Sequence, residues 1–268
     1  MSATLQRNDA AESVRSRVRA EEWETRVQLA ACYRLSAHYG WTDLIYTHIS
    51  ARVPGPDEHF LLNPFGWMFY EITASNRIKV DLAGNIIGQT PPSIHKAGFL
   101  IQSAVHEERP DVACVIHSHT RAGMAVSMTK CELLPFSQHA MLFHGRVAYH
   151  DSEGLALDMD EQARLATDLG DKAVMILRNH GTLVAGTTIP AAFSMMSHLE
   201  KALQAQIDAL SSKQELTIRS DEVAAATASM GFTNKEVPEY TEGTSPLGRL
   251  EWPAPTRMLD CTDASYKN

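Results

Sequence analysis

Five apolar residues in succession, Val112-Ala113-Cys114-Val115-Ile116, lead directly into His117-Ser118-His119. The run follows Arg109-Pro110-Asp111 and reads as a buried strand from Asp111 to Thr120, entered from a helix that ends just before Pro110. Residues two apart on a strand share a face, so the two imidazoles project to one side. Such a step has two readings, a pair of metal ligands or two edge histidines satisfied by their neighbours, and spacing alone leaves both open.

A metal reading needs a third ligand. His180 lies in Arg178-Asn179-His180-Gly181, between apolar strands expected over Ala173 to Leu177 and Thr182 to Ala185. A rigid sheet presents functional side chains at such a turn, and Gly181 lets the backbone approach another group. Three protein ligands with one position open would serve a catalytic divalent ion, while the turn taken alone is equally a plain hairpin. His95, one turn into a helix expected to begin at Ser93, is a fourth ligand, an acid–base group or a surface histidine. His139 and His144 follow Pro135 in a loop-like segment where nothing local assigns them a role.

Around these residues the chain alternates helices and strands. Ala11 to Tyr39 suits a helix that Gly40 ends. Tyr46 to Val53, His59 to Asn63 and Ile78 to Asp81 read as short antiparallel strands, with Asn63-Pro64-Phe65-Gly66 as a turn. Ser93 is the expected N-cap of a helix through Glu107, and Asp158 with Glu161 makes a capping-box pattern for a helix that Gly170 closes. From Ile189 to Leu210, Phe193, Met196, Leu199, Leu203, Ile207 and Leu210 fall near one helical face, with Thr188 as cap. Beyond Ser211 a short helix over Glu222 to Met230 precedes an irregular tail holding Pro238, Pro246, Pro253 and Pro255.

The 268 residues are 44% hydrophobic, enough for a sizeable core. A formal net charge of -8 argues against a nucleic-acid partner, so the expected partner is a small molecule. Four scattered cysteines without a CxxC pair fit a reducing cytoplasm, and the absence of a run of roughly 18 apolar residues predicts a soluble chain with no membrane partner.

In their order and separation, Val115-Ile116-His117-Ser118-His119-Thr120 and Leu177-Arg178-Asn179-His180-Gly181 resemble the metal-binding pattern of the class II aldolase and adducin-head family, over about Trp23 to Leu210. The resemblance implies an α/β fold, a three-layer α/β/α sandwich around a mainly antiparallel central sheet. It further implies a class II aldolase/adducin-like catalytic domain over 1–212, a C-terminal extension over 213–268 packing on or near it, and a cyclic homotetramer with active sites between subunits. The family's aldolases bind zinc through three histidines, matched here by His117, His119 and His180; manganese, cobalt, iron and nickel are alternatives for an all-nitrogen donor set. In them the metal polarises a carbonyl and holds the enediolate formed as a carbon–carbon bond breaks.

The departures from the family pattern bear on substrate. The family's sugar-phosphate aldolases carry a glutamate where His95 stands, and phosphate donors where this chain has Thr47-His48, Phe65-Gly66 and Ser93-Ile94. His48, Phe65, Gly66 and Ser93 are thus the expected substrate-binding residues, with fewer donors for a phosphate and a carboxylated or aromatic substrate implied. A tyrosine that protonates the departing group across the subunit boundary is replaced by His139. Tyr46 to Arg52, Leu62 to Gly66 and Val80 to Gly84 look more like the adducin-related branch. The expected function is a metal-dependent carbon–carbon lyase, an aldolase or decarboxylase, with His95 and His139 catalytic and His95 also a candidate ligand. A retro-aldol-type epimerase and a non-catalytic adducin-like interaction module are the alternatives, and three retained histidines argue against the second.

Overall fold

The computed structural model describes residues 14–88, 93–154, 159–233, 248–249 and 251–268. The first long helix, α1, runs Ala20–His38. It is shorter than the pattern from Ala11 suggested, of which 11–13 lie outside the described residues; it starts where Glu21 and Glu22 meet the positive end of the helix dipole. Strands β1 His48–Arg52, β2 His59–Leu62 and β3 Ile78–Asp81 follow. Next come α2 Lys96–Glu108, β4 Cys114–Ser118, α3 Arg121–Ser127, α4 Gln138–Met141 and β5 Val147–His150. The remainder is α5 Met159–Leu169, β6 Val174–Leu177, β7 Gly181–Gly186, α6 Ile189–Ser211, α7 Asp221–Thr233 and α8 Pro253–Thr262.

The strands form one seven-stranded sheet in the order β3-β2-β1-β4-β7-β6-β5. Every pairing is antiparallel except β5 with β6, so the sheet is mainly antiparallel, as expected. All five residues of β4 are buried, and its pleat divides them between two cores. Cys114 and Ile116 join Leu29, Leu199 and Leu203 from α1 and α6, whereas Val115 joins Ile101, Val105, Leu165 and Leu169 from α2 and α5. Helices therefore cover both faces, which is the three-layer α/β/α arrangement.

Three sequence expectations need correction. The N-cap of α2 is His95 and not Ser93, because the His95 Nδ1 accepts the Gly98 N–H at 3.0 Å, the service a serine oxygen would otherwise give. The tail is not irregular throughout: Pro253 opens α8, where a missing N–H costs no hydrogen bond, and Ala264–Lys267 adds a 3₁₀ turn. This segment docks on α1 and its neighbourhood through Arg34 Nη1 to Asp263 Oδ2 at 3.0 Å and Ala74 N to the Tyr266 carbonyl at 2.8 Å. Strand β5 and helices α3 and α4 were not expected at all. Of the Asp158 and Glu161 capping box, Asp158 lies outside the described residues.

Candidate metal centre

The middle of the sheet builds the site. Antiparallel pairing of β1 with β4 sets His48 directly opposite His117, and their rings lie 4.9 Å apart. His119 follows the end of β4, and the β6–β7 turn delivers His180. Asn179 takes the left-handed conformation at φ 57°, which asparagine tolerates, and the His180 N–H closes the turn on the Leu177 carbonyl at 3.1 Å. A Cβ on Gly181 would overlap the Ser118 carbonyl oxygen, so the close approach that the glycine suggested is made to β4 itself.

One ligand atom from each of His117, His119 and His180 lies within 4.8 Å of the other two. The tautomers of the first two follow from their partners. His117 Nδ1 meets the Thr182 carbonyl at 3.0 Å, and His119 Nδ1 meets Asp43 Oδ2 at 2.9 Å. A carbonyl and a carboxylate only accept, so both Nδ1 atoms carry the hydrogen and both Nε2 atoms present lone pairs. Those two Nε2 atoms face each other at 2.8 Å. Two lone pairs at that distance repel unless a cation takes them, and outer partners on Nδ1 are the usual means of aiming histidine ligands. The donor set thus fits a divalent metal ion, with His180 as third ligand.

Burial favours the neutral form of His48, His95, His117 and His180. His117 is held well below the usual histidine range, first by burial and then by the neighbouring histidines. His48 is pushed down to about 3 and His180 to about 4, in both cases mainly by burial. His95 is lowered too, by burial and by repulsion from His119. Neutral rings keep their lone pairs available, which metal binding requires.

The other expected residues take separate places. Phe65 packs its ring 4.7 Å from that of His95, and its N–H is accepted by the carbonyl of exposed Ser93 at 2.9 Å. Gly66 sits at φ 89° in an exposed turn. His95 is outside the three-ligand cluster, with its ring centroid 6.4 Å from that of His48. His139, on α4, has its ring 5.3 Å from that of His198 of α6, tilted by 38°, and does not join the cluster within its own chain. The sequence reading missed Asp43, Gln102 and Gly98, because none belongs to a short motif; only the fold brings them to the histidines.

Comparison with known proteins identifies the family. The family model for the class II aldolase and adducin N-terminal domain matches residues 27–207. A Caulobacter vibrioides protein assigned by name to the class 2 aldolases is 45% identical over 254 residues, 95% of this chain and 96% of that protein. Rat alpha-adducin is 45% identical over 190 residues, 70% of this chain but 26% of its own length. Among solved structures, an aldolase II superfamily protein from Pseudomonas syringae is 49% identical with a TM-score of 0.87, covering 95% of this chain and 99% of that one. An L-fuculose 1-phosphate aldolase from Glaciozyma antarctica is 29% identical with a TM-score of 0.80, covering 93% and 94%. The chain belongs to the class II aldolase and adducin N-terminal domain family.

Proposed function

We propose that this chain is a divalent-metal-dependent carbon–carbon lyase, an aldolase or decarboxylase, for a small non-phosphorylated carbonyl or hydroxy acid. The observation that carries the reading is the pair of Nε2 lone pairs on His117 and His119, 2.8 Å apart, with both Nδ1 atoms committed elsewhere. Bound there, the ion, zinc for such a donor set, supplies Lewis acidity toward a carbonyl, so that the electrons of a breaking carbon–carbon bond have a sink.

The chain's own residues supply the rest. With Nδ1 spent on the Gly98 N–H, neutral His95 holds its hydrogen on Nε2 and donates it as a hydrogen bond to the substrate, passing a proton to the product only as water returns one to the ring. That suits an acid better than a fourth ligand. Decarboxylation needs no base to begin it, which favours a site with His95 where the family's sugar-phosphate aldolases use a glutamate. His48, Phe65, Gly66 and Ser93 border the substrate, and in a homotetramer His139 serves the neighbouring subunit's site. Four free cysteines support a cytoplasmic setting, and no helix among the described residues is long and apolar enough to cross a membrane.

Similarity to an L-fuculose 1-phosphate aldolase supports lyase chemistry, whereas 45% identity to alpha-adducin favours a second reading, a non-catalytic oligomeric module. Elemental analysis and a turnover screen separate them. The lyase reading expects about one divalent ion per chain, lost in His117→Ala, and ion-dependent cleavage of a keto or hydroxy acid in preference to sugar phosphates. Protein without stoichiometric metal, whose stability and assembly are indifferent to His117→Ala, would establish the module instead.

A further inference from the structure

Gly98 sets two histidines of the pocket at once. Its N–H donates to His95 Nδ1 at 3.0 Å, and a backbone N–H can only donate, so neutral His95 carries its hydrogen on Nε2. A Cβ at Gly98 would stand 2.5 Å from His48 Cδ2 and 2.8 Å from its Nε2, so the missing side chain is what admits the His48 ring. From the other side, Gln102 Nε2 lies 2.7 Å from His48 Nδ1 and 3.4 Å from the His48 carbonyl. The carbonyl only accepts, so the amide turns its NH₂ toward both. Its oxygen accepts the Ser50 hydroxyl, whose own oxygen accepts from His106 Nε2 at 2.7 Å. His48 Nδ1 is therefore an acceptor, and the His48 hydrogen is also on Nε2.

The His48 and His95 rings are stacked 6.4 Å apart at 27°, and His48 in turn lies against His117. We propose that Gly98 and Gln102 are positioning residues that hold His95 and His48 as a pair of neutral Nε2–H donors beside the three-histidine cluster, and that the pair receives a carboxylate of the substrate. Two oxygens, each accepting at about 2.8 Å, can bridge donors on near-parallel rings. A phosphate dianion is better matched by cationic donors, and neither ring is one here. The place of the substrate rests on the metal-dependent reading; the tautomers do not.

The test uses the full chain loaded with zinc and labelled with ¹⁵N-histidine, with His48→Asn and His95→Asn assigning the signals. Long-range ¹H–¹⁵N correlation is expected to show a protonated Nε2 and a bare Nδ1 on both residues. In Gln102→Glu the carboxylate must take a hydrogen from Nδ1, so the His48 proton moves there while His95 is unchanged. Calorimetry with oxalate is then expected to show affinity lowered on the order of tenfold at constant zinc content, as for loss of one hydrogen bond to a charged group. Gly98→Ala, which displaces His48, lowers it similarly. Wild-type His48 protonated on Nδ1, oxalate affinity indifferent to both substitutions, or tighter binding of inorganic phosphate than of oxalate overturns the proposal. The tautomers are read without turnover, so an inactive enzyme and a wrong tautomer are separate outcomes.

Discussion

Asp43 does for His119 what the Thr182 carbonyl does for His117: it takes the Nδ1 hydrogen and leaves Nε2 bare. The next residue, Leu44, is held at φ 47°, a left-handed conformation that costs a leucine about 1–2 kcal/mol and marks a loop constrained by what it presents. The Asp43 side chain is 45% exposed, so the pair adds little to folding stability. Its effect belongs to the metal. Asp43→Ala is expected to weaken zinc binding about 10–100-fold in a chelator competition while leaving the urea midpoint nearly unchanged. Equal zinc affinity would remove Asp43 from the site. Nothing in Trp41-Thr42-Asp43 announces this role, since an aspartate in a loop has no periodicity; His117 and His119 were legible because a strand's two-residue repeat puts both on one side.

At the scale of the element, turns and caps decide whether those rings meet. The Asn179-His180-Gly181 turn was readable from residue type alone, because asparagine accepts φ 57° and only glycine fits against the Ser118 carbonyl. Gly181→Ala should force β6–β7 away from β4, costing about 1–3 kcal/mol in urea unfolding and lowering zinc content as His180 shifts. A variant with wild-type stability and full zinc would show that the close approach is not required. The long helix was legible to within a residue, since Thr188 caps it through the Ala191 N–H at 3.1 Å and its apolar face meets the sheet. The start of α2 was misplaced because a histidine rarely serves as a cap, and β5 was missed because four residues after a polar loop carry too little pattern. Its parallel pairing with β6 is a tertiary fact.

Across the whole molecule, the sheet's burial on both faces leaves several imidazoles in its interior, and this couples folding to pH. His106, 1% exposed and bonded to Ser50, is pushed down to about 3 by burial and then by the Arg52 charge. His48 is pushed down to about 3, first by burial and then by the repulsion its protonated form would meet from His95, His119 and His180. Both have an ordinary value of 6.5, so above that pH they are neutral folded or unfolded and cost nothing. Below it the unfolded chain binds protons that the native fold refuses, and stability falls until the pH reaches about 3. Each such group contributes a slope of up to about 1.4 kcal/mol per pH unit. The lowered carboxyl groups, such as Asp111 and Asp263 with an ordinary value of 3.8, enter only at the acid end, so the span from pH 6.5 to 5 reports on histidines. In chelator-treated protein, urea unfolding should therefore show stability falling steadily across that span, with a slope shallower by about one proton in His106→Gln. A flat profile would mean that His48 and His106 are protonated in the fold, and the buried relay through Ser50 and Gln102 would then need a different hydrogen-bond direction.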